Sequence, residues 1–152
     1  MAKRKGKTPK QKASDAMSRY IRLRDALEYC RQHRIDVSQF NRPEDVIGQC
    51  CTCGTVKSWY RMDAGHCIGR GLGGGSGVYF NPYNMALQCK LCNGFEQGST
   101  DKFWEYLEGI YGPLIKEQLT LLHHTHKYEP HEYPLLEQHY KNEYKKLVKD
   151  NF

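Results

Sequence analysis

Hydrophobic residues recur at helical spacing in several separate segments of the chain. Residues 14–34 place five of them on one face, which predicts a helix capped by Ser14 or a neighbour: Ala16, Tyr20, Leu23, Leu27 and Cys30. Further helices are predicted at 100–111, at 114–124 and from Pro134 onward, with Thr100 capping the first of them. Such stripes are typical of core packing or of a partner surface; the last helix carries Leu136, Tyr140, Tyr144 and Leu147.

The middle of the chain has a different pattern. Residues 59–68 predict a strand, and residues 78–80 predict a short second strand. Between them, residues 69–77 contain six glycines and predict a flexible loop. A helix is expected to begin near Cys92. The order of these segments predicts an α+β fold, with a small central strand–strand–helix unit flanked by N- and C-terminal helices.

Positive charge is concentrated at one end of the chain. The whole chain has a net charge of +6, whereas residues 1–34 hold eleven Lys/Arg and three Asp/Glu, a net +8, which leaves −2 for the remainder. We predict a disordered basic tail at 1–12 and a single domain at 13–152. Clustered basic residues are typical of polyanion binders, although a tail of this kind can also serve only as a solubiliser. The candidate DNA-binding residues here are Lys3, Arg4, Lys5, Lys7, Lys10, Lys12, Arg19 and Arg22.

Seven cysteines are present, and four of them form two C-x-x-C pairs. Two thiolate pairs with this spacing are typical of a tetrahedral structural zinc site, and four thiolates also permit an iron–sulfur cluster. A filled four-thiolate site has no open position and therefore cannot itself hydrolyse a substrate. The other three cysteines, Cys30, Cys51 and Cys67, are predicted to be small buried or half-buried side chains. The four candidate metal ligands are Cys50, Cys53, Cys89 and Cys92.

Polar residues near these cysteines indicate a second, catalytic site. Asp63 and Asn93 offer oxygen ligands that suit a hard ion such as Mg²⁺ or Mn²⁺. His66 has an ordinary pKa of about 6.5, which suits a group that takes a proton from water. Asn84 is predicted to orient the imidazole or to brace the adjacent loop. Because the strand alternates faces, Asp63 and Gly65 should point to one side and His66 to the other.

These motifs together resemble an HNH nuclease, a ββα-metal or His-Me finger protein, with a four-cysteine zinc site. More narrowly, the chain resembles the lambdoid phage NinG family, also called Rap, and more distantly phage endonuclease VII, in which Asn likewise follows the last zinc cysteine. The resemblance is carried over roughly residues 19–112. Many HNH proteins have an acidic residue or His directly before the base, where this chain has Gly65, so the metal role is assigned to Asp63. The motifs that carry the resemblance to the NinG family are the run at 19–26, Cys50-Cys51-Thr52-Cys53-Gly54, Asp63-Ala64-Gly65-His66, Gln88-Cys89 and Cys92-Asn93.

The resemblance implies a structure-selective DNA endonuclease that cuts branched recombination intermediates such as Holliday junctions and forks. It implies a ββα-metal core, structural Zn²⁺, catalytic Mg²⁺ or Mn²⁺, and 5′-phosphate products. A cytoplasmic location is expected, which is the bacterial host cytoplasm if the protein is phage-encoded. A homodimer is expected because a four-way junction needs two cuts. The rival hypotheses are a non-catalytic zinc-scaffolded DNA-binding module and a sequence-specific HNH nuclease of the homing or restriction type.

Two features have open interpretations. The Gly-rich loop is either a connector or a loop that wraps a strand junction, with Arg70 touching phosphate. His123, His124 and His126 near a predicted helix end suggest either a solvated surface cluster or another metal site, and we favour the surface cluster.

Overall fold

The computed structural model describes residues 4–69, 76–94 and 96–152. In these ranges the chain is α+β, as predicted, with five α-helices and two antiparallel two-stranded sheets. The sheets pair β1 with β2 and β3 with β4. The elements in chain order are α1 Pro9–Gln32, β1 Ile47–Gln49, β2 Val56–Ser58, β3 Asp63–His66, β4 Met85–Gln88, α2 Lys90–Gly94, α3 Glu96–Tyr111, α4 Ile115–Thr125 and α5 Tyr133–Asn151.

Helix α1 begins earlier than its hydrophobic stripe indicates. Thr8 caps it, because the Thr8 hydroxyl accepts from the Gln11 amide at 3.2 Å and the Gln11 side chain accepts from the Thr8 amide at 2.8 Å. Pro9 stands in the first turn, where its missing N–H is not needed. The predicted start at Ser14 is therefore wrong, and residues 9–12 of the expected disordered tail are helical.

The central sheet pairs β3 with β4 in the register Asp63↔Gln88 to His66↔Met85. The strand predicted at 59–68 is shorter, since residues 59–61 form a 3₁₀ turn and only Asp63–His66 is extended. The strand predicted at 78–80 is wrong, and residues 77–80 form turns. The reason is local hydrogen bonding: the amide of Tyr79 donates to the Ser76 carbonyl and that of Asn81 donates to the Val78 carbonyl. Val78, Tyr79 and Phe80 are all buried, so their apolar run resembles the sequence of a buried strand.

The predicted helices after residue 92 exist with shifted starts. Helix α2 begins at Lys90 rather than near Cys92, and α3 begins at Glu96, so Thr100 lies inside it and is not its cap. Helix α4 is close to its prediction. Pro134 stands in the first turn of α5, as expected for a helix start.

Helix α5 packs along α1 and closes the core. Tyr140 is buried, and its hydroxyl donates to the Phe80 carbonyl at 2.6 Å. Leu136, Tyr144 and Leu147 pack against buried residues of α1 and the central segment. The α5 stripe, predicted to serve core packing or a partner surface, therefore packs inside one chain, and the homodimer stays a prediction without that interface. Within the described ranges, every helix is too short or too polar to cross a membrane.

Candidate functional site

The four C-x-x-C cysteines come together. Their Sγ atoms all lie within 4.8 Å of one another, and the Sγ atoms of Cys53 and Cys89 are 3.7 Å apart. Four sulfurs around a Zn²⁺ ion with Zn–S bonds of about 2.3 Å stand about 3.8 Å apart in a tetrahedron. The cluster could therefore hold a metal ion, and its geometry is compatible with structural zinc.

Both cysteine pairs form tight turns that suit metal binding. The amide of Cys53 donates to the Cys50 sulfur at 3.5 Å, and the amide of Cys92 donates to the Cys89 sulfur at 3.4 Å. Gly54 has a φ of +79°, a left-handed conformation that favours glycine, and its amide donates to the Cys50 carbonyl. The first pair thus follows β1, and the second spans the junction between β4 and α2.

The remaining cysteines are buried or half-buried, as predicted: Cys30 and Cys67 are buried and Cys51 is half-buried. Burial raises the pKa of Cys67 to about 12, so this thiol stays protonated. These thiols lie outside the four-cysteine cluster.

The cluster joins the start of helix α2 to the turn after β1, and α2 lies beside strand β3. Asp63 pairs in register with Gln88, the residue before Cys89, so the start of α2 lies beside Asp63. The side-chain nitrogen of Asn93, Nδ2, donates to Asp63 Oδ2 at 3.1 Å, and Lys90 Nζ donates to Asp63 Oδ1 at 2.8 Å. The structure thus brings together Asp63 and Asn93, the two oxygen ligands predicted for a catalytic ion.

Asp63 is held as a carboxylate. Partial burial acts to raise its pKa, but hydrogen bonds from Lys90 and Asn93 and the charges of Lys90 and Arg22 outweigh burial, so the pKa lies below its ordinary value. Its carboxylate is therefore ionised at neutral pH. A carboxylate and an amide oxygen are ligands that Mg²⁺ and Mn²⁺ accept, so these residues fit the predicted ion.

Gly65 has a steric reason to be glycine. A Cβ there would lie 2.1 Å from Gln88 Oε1 and 3.1 Å from Phe103 Cε2. A larger side chain there would displace the Gln88 side chain and the Phe103 ring, so the packing between β3 and α3 favours glycine before His66.

His66 lies near the other end of β3. Its ring stacks on Tyr79 with centroids 4.3 Å apart, and its Nε2 lies 3.0 Å from the Tyr79 carbonyl. Because a carbonyl can only accept, Nε2 carries the proton and Nδ1 holds the lone pair when the ring is neutral. As predicted from strand alternation, His66 and Asp63 point to opposite faces of β3.

Asn84 is fully buried and braces the backbone around the Gly-rich loop. Its Oδ1 accepts from the Ile68 amide at 2.8 Å, and its Nδ2 donates to the Ile68 carbonyl at 2.9 Å and the Val78 carbonyl at 3.4 Å. Of the two roles predicted for Asn84, its hydrogen bonds match the bracing role. It fixes the chain on both sides of residues 70–75.

The basic residues predicted to bind DNA have different surroundings. Arg4, Lys5, Lys7 and Lys12 are exposed, and Lys7 pairs with Asp15. Lys10 lies 5.5 Å from the centre of the Tyr79 ring. Lys3 and Arg70 lie outside the described residues.

Two predicted DNA contacts are partly used inside the fold. Arg22 lies over the Trp59 ring at 5.0 Å and donates to the Met62 carbonyl at 3.3 Å, directly before Asp63. Arg19 lies over the Tyr144 ring at 4.4 Å and keeps about half of its side chain exposed.

Two histidines at the end of α4 contact the last two residues of the Gly-rich loop. His123 Nδ1 lies 2.9 Å from the Ser76 hydroxyl, and His126 Nδ1 lies 2.8 Å from the Gly77 carbonyl. A Cβ at Gly77 would overlap the His126 and Leu122 carbonyls, at 2.2 and 2.3 Å. In the part of the chain that the structure describes, these histidines form no candidate metal cluster.

Sequence reasoning missed two sets of residues. Arg24 and Asp25 fasten α1 to the free edge of β4: Asp25 accepts from the Leu87 amide at 2.8 Å, and Arg24 donates to the Pro82 and Met85 carbonyls at 3.0 Å. No periodic signal points to this pair, because neither residue lies in the apolar stripe of α1. Lys90 was also missed, although it stands three residues before Asn93 and so on the same helical face.

A comparison with protein families matches one family model, described as bacteriophage lambda NinG protein, over residues 1–150. The chain belongs to the NinG family. The match spans the basic N-terminus, both cysteine pairs and helix α5, and so extends beyond the residues 19–112 that carried the resemblance. No curated protein matches the chain, and no solved structure matches it.

Proposed function

We propose that this NinG-family chain is a metal-dependent DNA endonuclease that cuts branched recombination intermediates. The observation that carries the proposal is the contact between Asp63 of β3 and Asn93 of α2, at 3.1 Å, beside the cysteine cluster that includes Cys89 and Cys92. The order of β3, β4 and α2 agrees with a ββα-metal core, in which a hairpin and the following helix hold one metal-dependent site.

The chain's own residues account for the steps around the phosphate. His66 Nδ1 accepts a proton from the attacking water, and the hydrogen bond from Nε2 to the Tyr79 carbonyl stabilises the imidazolium that forms. Asn84 keeps the backbone after His66 in place. Arg22 and Lys90 contribute positive charge beside Asp63.

The catalytic Mg²⁺ or Mn²⁺ would be held by Asp63 and Asn93. When bound, such an ion stabilises negative charge on the phosphate and the leaving oxygen. The Asn93 nitrogen now faces Asp63, and half a turn of its amide presents the oxygen instead. Lys90 must give up its contact with Oδ1 where that oxygen ligates the ion.

The four cysteines would hold a structural Zn²⁺. With all four positions filled by thiolates, this ion supplies folding energy and no catalysis. Its role is to fix α2, and with it Lys90 and Asn93, against β3.

DNA is the proposed partner, contacted by the basic residues of the N-terminal segment and α1, and the host cytoplasm is the proposed location. A second candidate is a non-catalytic zinc-scaffolded DNA-binding module. The observation that favours it is that Lys90 and Asn93 donate to both oxygens of the Asp63 carboxylate.

Incubation of the purified protein with Mg²⁺ or Mn²⁺ and labelled four-way junction, Y-fork and linear duplex separates these candidates. A branched-DNA endonuclease cuts the junction and the fork in preference to the duplex. Binding of all three without cutting under either ion would favour the non-catalytic module. Cutting at one sequence in linear duplex would instead favour a homing or restriction-type nuclease.

A further inference from the structure

Helices α1 and α5 run side by side, and a surface groove of about 470 Å³ lies between them. We name it the α1–α5 groove. Its charged lining comes from both helices, with four cations and two acids: Lys12, Asp15 and Arg19 on α1, and Glu137, Lys141 and Lys145 on α5.

The acids of this groove are already neutralised. Glu137 pairs with Lys141 at 2.9 Å, and Asp15 pairs with Lys7 from the segment before α1. Among the described residues, neither Lys12 nor Lys145 has an ion-pair partner within 4.0 Å. Arg19 pairs with Glu44, outside the groove, at 3.6 Å. Lys12 and Lys145 therefore remain as the groove's unpaired cations, and such excess positive charge is typical of a surface that binds a polyanion.

The groove also leads toward the candidate catalytic site. Lys12, Arg19 and Arg22 share one face of α1 and span ten residues, about 15 Å along the helix at 1.5 Å per residue. Arg22 contacts the Met62 carbonyl, and the next residue is Asp63. A line of cations thus runs from the open end of the groove to the proposed metal ligands.

We propose that the α1–α5 groove binds the phosphate backbone of the DNA arm that leads away from Asp63. In this arrangement Lys141 and Lys145 of α5 form the wall opposite Lys12 and Arg19. The stacking of Arg19 on Tyr144 keeps the guanidinium at the floor of the groove. The proposal rests on the proposed DNA-cutting function and assigns to α5 a role in holding DNA.

The test compares the full chain carrying K141Q/K145Q with the K102Q/K146Q variant, which removes the same charge at exposed positions outside the groove. Fluorescence anisotropy with labelled linear duplex, over a range of KCl concentrations and without Mg²⁺ or Mn²⁺, gives the dissociation constants. Each lost phosphate contact lowers the log–log salt slope by about 1, so K141Q/K145Q should lose about 2. The control should keep the wild-type slope.

Lysine acetylation footprinting of the wild-type complex gives a second readout. DNA should protect Lys141 and Lys145 and leave Lys102 and Lys146 reactive. A wild-type slope in K141Q/K145Q, or equal slopes in both variants, would overturn the groove proposal while leaving DNA binding intact. Failure of the wild-type chain to bind duplex or junction at all would instead contradict the proposed function.

Discussion

At the scale of single residues, the Asp63 carboxylate accepts hydrogen bonds within the protein and is also the proposed ligand of a divalent ion. It accepts from Lys90 and Asn93, and partial burial opposes its charge without preventing ionisation. A divalent ion at this position would face an ammonium group that already contacts Oδ1. Lys90 and the ion therefore compete for the same oxygen in the proposed site.

Replacing Lys90 with Met should tighten divalent-ion binding. The substitution keeps the aliphatic stem and removes the charge that competes for Asp63. Exposed ion pairs contribute about 0.2–1 kcal/mol, so the Mn²⁺ dissociation constant should fall by up to about fivefold. Mn²⁺ titration of the zinc-loaded protein, followed by electron paramagnetic resonance, measures it, with Lys102→Met as the matched control. Weaker or unchanged Mn²⁺ binding in Lys90→Met would show that the ammonium does not compete.

At the scale of elements, α1 covers the core and also forms hydrogen bonds with the edge of β4. Its Asp25 satisfies the Leu87 amide on the edge of β4 that does not face β3, and Arg24 satisfies two further carbonyls of the same region. Burial acts to lower the pKa of Arg24, but the charge and hydrogen bond of Asp25 more than compensate. The pair thus fastens the helix to the sheet that carries His66 and Asp63.

Replacing Asp25 with Ala should destabilise the fold. The change leaves the Leu87 amide and a largely buried guanidinium without their carboxylate, and breaking a buried pair costs about 3 kcal/mol. Urea unfolding of the zinc-loaded protein at neutral pH measures the loss. Glu28→Ala is the control, because Glu28 forms an exposed pair with Arg31 on the same helix and should cost less than about 1 kcal/mol. Equal losses in the two variants would contradict the fastening role of Asp25.

Local sequence signals gave correct predictions, whereas predictions were wrong or missing where packing against distant residues determines the structure. Cysteine spacing located both halves of the cluster, and strand alternation placed Asp63 and His66 on opposite faces. The apolar run at 78–80 predicts a strand, but its side chains pack into clusters formed by α1, α3, α4 and α5, which no local pattern reveals. The same holds for the stripe on α5, whose partner is α1. Lys90 and Asp25 act through contacts with distant residues and gave no periodic signal.

At the scale of the whole molecule, the cysteine cluster joins the first sheet to the second sheet and its helix. Cys50 and Cys53 follow β1, while Cys89 and Cys92 flank the start of α2. The hydrophobic fraction is only 39%, so a metal at this junction adds stability where the core is thin.

We expect about one tightly bound zinc per chain, and Cys53→Ser should release it and unfold the centre. Structural zinc contributes roughly 10–16 kcal/mol of apparent binding energy, much of which becomes folding energy. Elemental analysis after dialysis gives the stoichiometry, and circular dichroism follows unfolding. Cys30→Ser, at a thiol outside the cluster, should keep the zinc. Iron in place of zinc, or a folded wild-type chain without metal, would refute this assignment.

The most direct test of the account is single-turnover cleavage of a labelled four-way junction by the wild type and by His66→Ala, with Mg²⁺ present. Loss of a general base lowers the rate by about 10²–10⁴-fold, and the variant should keep its zinc and its affinity for the junction. Cleavage by the wild type with a loss of this size in His66→Ala is the predicted result. Near-wild-type cleavage by His66→Ala would contradict the account.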